Sequence, residues 1–201
     1  MLTGAKKTIR NTYCILAFLF VQVFRWPFYQ SKYLKGKWFY RPYSLGWQQA
    51  ANDIIHRIFF LKNANVPWPV SPYIDCCKNI EFDVDDMNNF WGSGNYYQAF
   101  DAKIIIGKGC WIAKNVGIIT SNHDFDNLEM HCRGRDVILG ERCWVGMNSM
   151  ILPGVILGPH TVVGAGSVVT KSFPMGNVII AGNPARVIRD LDEKPNSEQL
   201  V

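Results

Sequence analysis

An aliphatic side chain returns at every sixth position through the second half of this chain, and this spacing predicts a mainly β fold, a parallel β-helix. An α-helix would repeat its apolar residues every 3.6 positions, and a single strand every second position. Six residues can form one short strand and one turn, so three repeats close a triangular coil whose aliphatic side chains point to the axis. The repeated positions are Ile106, Ile112, Ile118, Leu139, Val145, Ile151, Leu157, Val163 and Val169.

Small residues accompany the aliphatic column in the same register. The residue after each aliphatic is usually Gly or Ala, which permits a tight backbone corner, and the fourth residue after it is mostly small, as at Cys110 and Cys143. A chance run of valines and glycines in an ordinary sheet would have to reproduce nine positions in register. The register breaks only between Ile118 and Leu139, so we expect a prism of stacked coils with one long loop.

The segment before the repeats is predicted to be helical. Residues 13–24 form an apolar run, and residues 25–41 interleave Trp, Tyr and Phe with Lys and Arg. This mixture suits a membrane interface, although the run is shorter than the roughly 20 apolar residues that a membrane span needs. A helix that packs on the main domain or between subunits explains the pattern equally well, and both interpretations stay open.

The chain therefore divides into three predicted parts: an N-terminal helical, membrane-associated or packed segment (1–72), a β-helix (73–189) and a polar tail (190–201). Within the first part, Ala50, Ile54 and Ile58 mark an amphipathic helix over residues 47–65, which would cap the open end of the prism. Ile74 and Ile80 share the six-residue spacing and indicate an irregular first coil.

Composition narrows the classes of protein that the chain can belong to. It is 48% hydrophobic and 18% charged, which excludes a disordered chain and a solvated coiled coil. The net charge of +5 suits acidic lipid or a phosphorylated cofactor, and without a zinc finger or a long basic stripe we expect no nucleic-acid partner. The six cysteines show no metal-binding pair spacing, so we interpret them as reduced thiols of a cytoplasmic protein.

Four motifs together carry a resemblance to a known family. Asn122-His123-Asp124 is followed by the long loop, then by Trp144-Val145-Gly146, by residues 164–171 (GAGSVVTK) and by residues 182–186 (GNPAR). In combination they resemble the NodL/LacA/CysE-like group of hexapeptide-repeat acyltransferases, over roughly residues 74–189. The long loop is most similar to that of members that modify polysaccharides and lipopolysaccharide sugars.

The resemblance implies a left-handed β-helix that transfers an acetyl group from acetyl-CoA to a sugar hydroxyl, within a homotrimer whose sites lie between subunits. His123 matches the family's general base, and a neutral imidazole, with an ordinary pKa near 6.5, can remove a hydroxyl proton. The family's oxyanion donor falls on the backbone N–H of Met147. The remaining implied residues are Ala165, Thr170, Lys171, Arg186 and Arg189 for acetyl-CoA, and Asn95 and Asp101 for the acceptor; no metal is implied.

Three questions stay open at this stage. Asp124 and Asp126 could orient His123 or only cap the loop. His131 has no counterpart in the resemblance, so we expect it to be dispensable. A γ-carbonic-anhydrase-like metalloenzyme would share the prism but needs three converging histidines, and a non-catalytic trimeric scaffold that docks on membranes would use the N-terminus alone.

Overall fold

Two helices in the N-terminal part pack against each other. The computed structural model describes residues 4–26, 28–60, 63, 65–71 and 73–191, with helix α1 at Gly4–Phe24 and helix α2 at Leu45–Phe60. The Phe18 and Trp47 rings meet edge to face at 4.9 Å, and the Tyr13 hydroxyl lies 3.5 Å from Oδ1 of Asn52. Because the later residue of α1 contacts the earlier residue of α2, the helices are antiparallel. The described residues contain no helix with the length and hydropathy needed to cross a bilayer.

Helix α2 overlaps the helix predicted over residues 47–65 but ends at Phe60, and part of its buried face differs from the prediction. Ala50 and Ile54 are buried as expected, whereas Ile58 is exposed. The charged pair Asp53 and Arg57 is buried in the helix instead. A charged pair was not expected on that face because isolated charges are expensive to bury.

Hydrogen bonds make the burial of this pair possible. Two guanidinium nitrogens of Arg57 donate to the Asp53 carboxylate at 2.8 and 2.9 Å, and Arg57 also donates to the carbonyl oxygens of Val66 and Trp68. The Tyr29 hydroxyl donates to the same carboxylate at 2.7 Å. Burial raises the pKa of Asp53, while the neighbouring Arg57 works in the opposite direction. The cluster joins α2 to the chain on both sides of it.

Fourteen short strands of the described residues form the three faces of a prism. Face 1 contains β1 (Tyr73–Asp75), β3 (Tyr96–Gln98), β6 (Gly117–Ile119), β9 (Met150–Ile151) and β12 (Val168–Val169). Face 2 contains β2 (Ile80–Phe82), β4 (Ile104–Ile106), β7 (Val137–Leu139) and β10 (Ile156–Leu157). Face 3 contains β5 (Trp111–Ile112), β8 (Trp144–Val145), β11 (Val162–Val163), β13 (Val178–Gly182) and β14 (Ala185–Asp190). Short 3-10 helices lie at Ser31–Tyr33, Cys77–Asn79 and Val84–Phe90.

The predicted left-handed parallel β-helix is confirmed. Every strand pair is parallel except β13 with β14, which are antiparallel. All nine residues of the aliphatic column are buried, and so are Cys110 and Cys143 in the column of small residues. Ile74 and Ile80 extend the buried column into the irregular first coil. The predicted tail lies outside the described residues from position 192 onward, and β14 ends at Asp190.

The chain turns at three edges of the prism, and two of them matter for the site. The loop edge is the edge between faces 1 and 2; it contains Asp101, residues 120–136 and the turn at Thr170 and Lys171. The glycine edge is the edge between faces 3 and 1; it contains residues 146–149 and 164–167. The two edges flank face 1, so about three strand residues, or roughly 10 Å, separate them.

Candidate active site

The loop at residues 120–136 folds back on itself as a narrow hairpin. The Asp124 N–H donates to the Met130 carbonyl oxygen at 2.9 Å, and the Cys132 N–H donates to that of Asn122 at 2.8 Å. At the base of the loop, the Arg135 N–H donates to the Thr120 carbonyl oxygen at 2.8 Å. These bonds hold an exposed segment in one conformation on a rigid coil, which is where catalytic groups commonly lie.

His123 is exposed near the start of this hairpin, and one hydrogen bond selects its tautomer. Its Nδ1 lies 2.7 Å from the carbonyl oxygen of Leu128. A carbonyl oxygen only accepts, so Nδ1 carries the proton in the neutral ring and Nε2 keeps its lone pair. This is the protonation pattern that a general base needs.

Asp124 has the loop-capping contacts that the sequence left as one of two interpretations. Its Oδ1 accepts from the backbone N–H groups of Asp126 and Asn127 at 2.8 and 3.2 Å. An aspartate that bonds to the backbone two residues ahead forms a local turn, which stabilises the loop. The Asp126 side chain is exposed.

The two residues expected to bind the acceptor lie in different surroundings. Asp101 is exposed at the loop edge, where its Oδ2 accepts from the Gly134 N–H at 3.3 Å. It borders two surface cavities of about 610 and 650 Å³ on either side of the chain at residues 100–103. It is therefore placed where a sugar could reach both its carboxylate and the loop.

Asn95 requires a correction. Its side chain is buried, with Oδ1 accepting from the Val116 N–H at 3.0 Å and Nδ2 donating to the Tyr97 hydroxyl at 3.2 Å. Both ends of the amide are thus used inside the coil, where they satisfy buried polar groups. The structure gives Asn95 a role in stacking two coils rather than contact with an acceptor.

The glycine edge offers an accessible backbone amide and an open corner. Within the described part of the chain, the Met147 N–H has no hydrogen-bond acceptor, and the Met147 carbonyl oxygen accepts from the Gly166 N–H at 2.8 Å. Ala165 lies exposed directly above Met147 in the next coil. A Cβ at Gly166 would meet no atom within 4 Å. An extended ligand can therefore approach the backbone here.

The predicted cofactor-binding side chains separate into two groups. Arg186 pairs with Ala181 near the glycine edge, and the Arg186 side chain is exposed. Arg189 pairs with Ile179, three residues further along β14. Thr170 and Lys171 lie at the loop edge, where the Lys171 ammonium is 5.6 Å from the centre of the Phe173 ring.

Within one chain, the predicted site residues thus lie in two separate groups. His123, Asp101, Thr170 and Lys171 belong to the loop edge, whereas Met147, Ala165 and Arg186 belong to the glycine edge. In the part of the chain that the structure describes, no three His, Cys, Asp or Glu side chains form a metal-binding group. The candidate site has the exposed His123 ring at one edge and the Met147 amide with an open corner at the other.

Comparison with known proteins shows which proteins this prism is similar to. Residues 136–171 match the family model described as bacterial transferase hexapeptide (six repeats). The galactoside O-acetyltransferase of Escherichia coli is 36% identical over 110 residues, which are 53% of this chain and 53% of that protein. A second Escherichia coli protein, named for colanic acid biosynthesis, is 39% identical over 88 residues, 44% of this chain and 48% of its own length.

The β-helix is therefore similar to hexapeptide-repeat transferases over these residues. The chain spans about half the length of the curated relatives it matches. Among solved structures, a galactoside acetyltransferase in complex with coenzyme A aligns with 63% of this chain and 58% of its own, at 29% identity and a TM-score of 0.47.

Proposed function

We propose that this protein is an acetyl-CoA-dependent O-acetyltransferase that modifies a sugar hydroxyl of a cell-surface glycan or of its precursor. The family supports the transferase class, and the names of two relatives refer to galactoside and colanic acid. The observation that carries the proposal is the hydrogen bond from His123 Nδ1 to the Leu128 carbonyl oxygen, which leaves an exposed Nε2 free to accept a proton.

Each site residue has a separate role in the proposed reaction. His123 Nε2 takes the proton of the acceptor hydroxyl as its oxygen attacks the thioester carbonyl carbon. The Met147 N–H stabilises the oxyanion that develops on the carbonyl oxygen. When the carbon–sulfur bond breaks, the imidazolium returns its proton to the sulfur, which leaves as the thiol of CoA. His123 ends the cycle neutral, and no metal is needed in these steps.

Acetyl-CoA fits the glycine edge in shape and charge. The pantetheine arm would lie along Ala165 and Gly166, where little side-chain bulk opposes it. Arg186 is an exposed cation within reach of the same corner and would bind a phosphate through paired hydrogen bonds. Arg189, Thr170 and Lys171 would contact the phosphate and adenosine end.

We also propose that each complete site is shared between two chains of a homotrimer. His123 and Met147 lie at opposite edges of face 1, whereas one tetrahedral intermediate must contact both groups. A second copy that places its glycine edge against the loop edge of the first would bring the two sets together. Cyclic symmetry then repeats the same contact three times.

The N-terminal part supports a membrane contact on the inner face of the cytoplasmic membrane. The face of α1 that points away from α2 exposes Ile9, Leu16 and Val23, which repeat every seventh residue along one side of the helix. Because the helices are antiparallel, the exposed Phe59 and Phe60 lie near the start of α1. We call the exposed side of α1 at Ile9, Leu16 and Val23 the N-terminal apolar face; Tyr13, Phe24 and Trp26 are further exposed aromatics of the same part of the chain.

The charge around this apolar face matches an anionic lipid surface. The first 60 residues contain nine Lys or Arg and one Asp, a net charge of +8. Residues 61–201 contain twelve Lys or Arg and fifteen Asp or Glu, a net charge of −3. A basic segment is attracted to anionic headgroups while its apolar side chains enter the interface. Such a contact would keep the enzyme close to lipid-linked sugar acceptors.

The His123→Ala variant tests the proposed activity. Since the side chain is exposed and outside the buried columns, the variant should fold, assemble and bind CoA normally. Its kcat should fall by about 10²–10⁴-fold, the usual contribution of a general base.

The measurement is release of the CoA thiol from acetyl-CoA with a panel of glycan acceptors. If the parent protein releases no CoA with any of them, it acts as a scaffold. If the variant keeps the parent rate, His123 is not the base.

A further inference from the structure

At the loop edge the His131 ring contacts both the His123 ring and the Phe100 ring, and of the three only the ring of His123 has a role in the proposed reaction. The centres of the His123 and His131 rings are 4.3 Å apart, and their planes are inclined by 35°. The His131 ring also lies 5.0 Å from the Phe100 ring. Aromatic rings at such distances attract each other and prefer a defined relative orientation. His131 therefore links the candidate base to Phe100.

The backbone explains why the two histidine rings meet. His123 and His131 form an antiparallel bridge, and the hydrogen bonds on both sides of it join Asp124 with Met130 and Asn122 with Cys132. This pattern makes His123 and His131 a pair without hydrogen bonds of its own, in which opposed side chains come closest. The contact thus follows from the hairpin register.

Phe100 connects this pair to the rigid coil. It follows β3, and its carbonyl oxygen accepts from the Thr120 hydroxyl at 2.7 Å. Gly134 lies so close to this segment that a Cβ there would be 2.9 Å from the Phe100 carbonyl oxygen and 2.8 Å from that of Asp101. The returning half of the loop is therefore held directly against the coil beneath the ring stack.

The His123 ring needs such a support. The bond from Nδ1 to Leu128 fixes one atom of an exposed ring but leaves rotation about that contact possible. A general base acts only when its lone pair lies within hydrogen-bond distance of the proton that it removes. A contact on the face of the ring restricts the rotation that would turn Nε2 away.

We propose that His131 is a positioning residue whose ring, supported by Phe100, fixes the plane of the His123 imidazole and so the direction of Nε2. The proposal rests on the proposed function, because it takes His123 as the base. It differs from the sequence-based expectation that His131 is dispensable. The chemistry required of His131 is a flat ring, so phenylalanine should replace it better than alanine.

The experiment compares His131→Ala with His131→Phe in the full-length protein, with acetyl-CoA and methyl β-galactoside as substrates. His131→Ala should lower kcat about tenfold and change the KM for acetyl-CoA by less than about twofold, because a misplacement of about 1 Å can cost up to ~10²-fold. His131→Phe should keep kcat within about threefold of the parent. Circular dichroism and light scattering should show the same fold and assembly for both.

A readout independent of activity uses protein with 13C-labelled histidine. Ring currents from His131 should displace the His123 resonances, so these should move in His131→Ala and stay closer to the parent positions in His131→Phe. If they do not respond to the alanine variant, the stack does not exist in solution and the proposal is wrong.

The kinetic outcomes separate the two proposals. If His123→Ala is inactive while His131→Ala keeps the parent kcat, the positioning role alone is overturned. If His131→Phe loses as much activity as His131→Ala, the imidazole itself is required and a stacking role is wrong. If His123→Ala keeps the parent activity, the base assignment fails and the positioning role fails with it.

Discussion

The position of Arg186 on its strand indicates a role in ligand binding. It lies one residue from the turn that ends β13, next to the corner formed by Ala165, and its Nη1 donates to the Ala185 carbonyl oxygen at 3.0 Å. The guanidinium is exposed and has no carboxylate partner within salt-bridge distance in the described part of the chain. An unpaired cation beside an open backbone corner suits a phosphorylated ligand.

We therefore expect Arg186→Glu to raise the KM for acetyl-CoA by about tenfold or more, since a charge-assisted hydrogen bond contributes about 1.5–3 kcal/mol. The acceptor KM should stay nearly constant, because the acceptor approaches from the loop edge. Steady-state kinetics with each substrate varied in turn measure both values. Arg142→Glu makes the same charge change at the third edge of the prism, and it should leave both constants unaltered. A change in the acceptor KM of Arg186→Glu would contradict the assignment.

At the scale of the element, each short strand contributes one buried aliphatic side chain to the axis. Ile151 in β9 is completely buried, whereas Ile156 in β10 is 40% exposed on the outer side of face 2. The two residues have the same side chain and lie in consecutive strands, so they differ mainly in direction. This difference makes them a matched pair for testing the register.

Ile151→Ala should lower the free energy of unfolding by about 2–5 kcal/mol, because it removes buried methyl groups and leaves a cavity. Ile156→Ala should cost less than about 1 kcal/mol, since its side chain is partly in water already. Urea unfolding followed by circular dichroism, at a fixed protein concentration, gives both values. Equal losses would mean that the six-residue register does not determine the core.

The sequence predicts those parts of the structure that follow from repetition. All nine aliphatic positions are buried, as the six-residue spacing predicts. Because every coil repeats the same environment, each position checks the register assigned to the others. The burial of Asn95 and of the charged pair in α2 does not follow from the repeat. The burial of Asn95 depends on Val116 and Tyr97, and the burial of Asp53 depends on Arg57 and Tyr29, partners that no short-range pattern identifies.

The contact between the His131 and His123 rings could not be predicted from the repeat for a related reason. The two residues are eight positions apart, and their contact requires the exact pairing of the two hairpin strands. A one-residue change in that pairing would direct His131 to the opposite side of the hairpin. The useful signal was the presence of a second histidine in the same loop, which the sequence alone could not place.

At the scale of the whole molecule, the shared site can be tested by mixing two inactive variants. His123→Ala removes the base, and Ala165→Trp fills the glycine edge while leaving the base intact. In mixed trimers some sites should combine His123 from one chain with an open corner from another. In every trimer that contains both variants one of the three sites is complete, so such trimers should show about a third of the parent activity.

The mixed trimers are prepared by co-expression with two different tags and purified for the presence of both. CoA release by this sample should exceed that of either parent variant by far. Mixed trimers without activity would show that a single chain contains the complete site.

The proposed membrane contact concerns the distribution of charge over the whole molecule. The full-length protein should float with vesicles that contain phosphatidylglycerol, and less with vesicles of phosphatidylcholine alone. Leu16→Glu combined with Val23→Glu should abolish flotation, because two charges would enter the apolar interface. These exposed positions test the contact better than removal of residues 1–41, which would delete the buried Tyr29 and Phe39.

The matched control is Ile156→Glu, an exposed substitution far along the prism, which should float like the parent. Addition of salt should weaken flotation, since it screens the attraction between basic side chains and lipid. If the double variant floats as well as the parent, the N-terminal apolar face is an interface between protein chains instead.

The reversal of chain direction at β14 affects whether β-helices of this kind can associate end to end. Parallel coils stack by backbone hydrogen bonds, so an uncovered last coil would be a template on which a second molecule could continue end to end, and then a third, as a fibre. On face 3 that template is occupied by β14, which runs antiparallel to β13 and carries the charged side chains of Arg186 and Arg189. A strand of that direction and charge does not repeat the parallel register below it. The residues proposed to bind the cofactor phosphates thus also place charge on the last strand of face 3, where it disfavours end-to-end pairing with a second molecule.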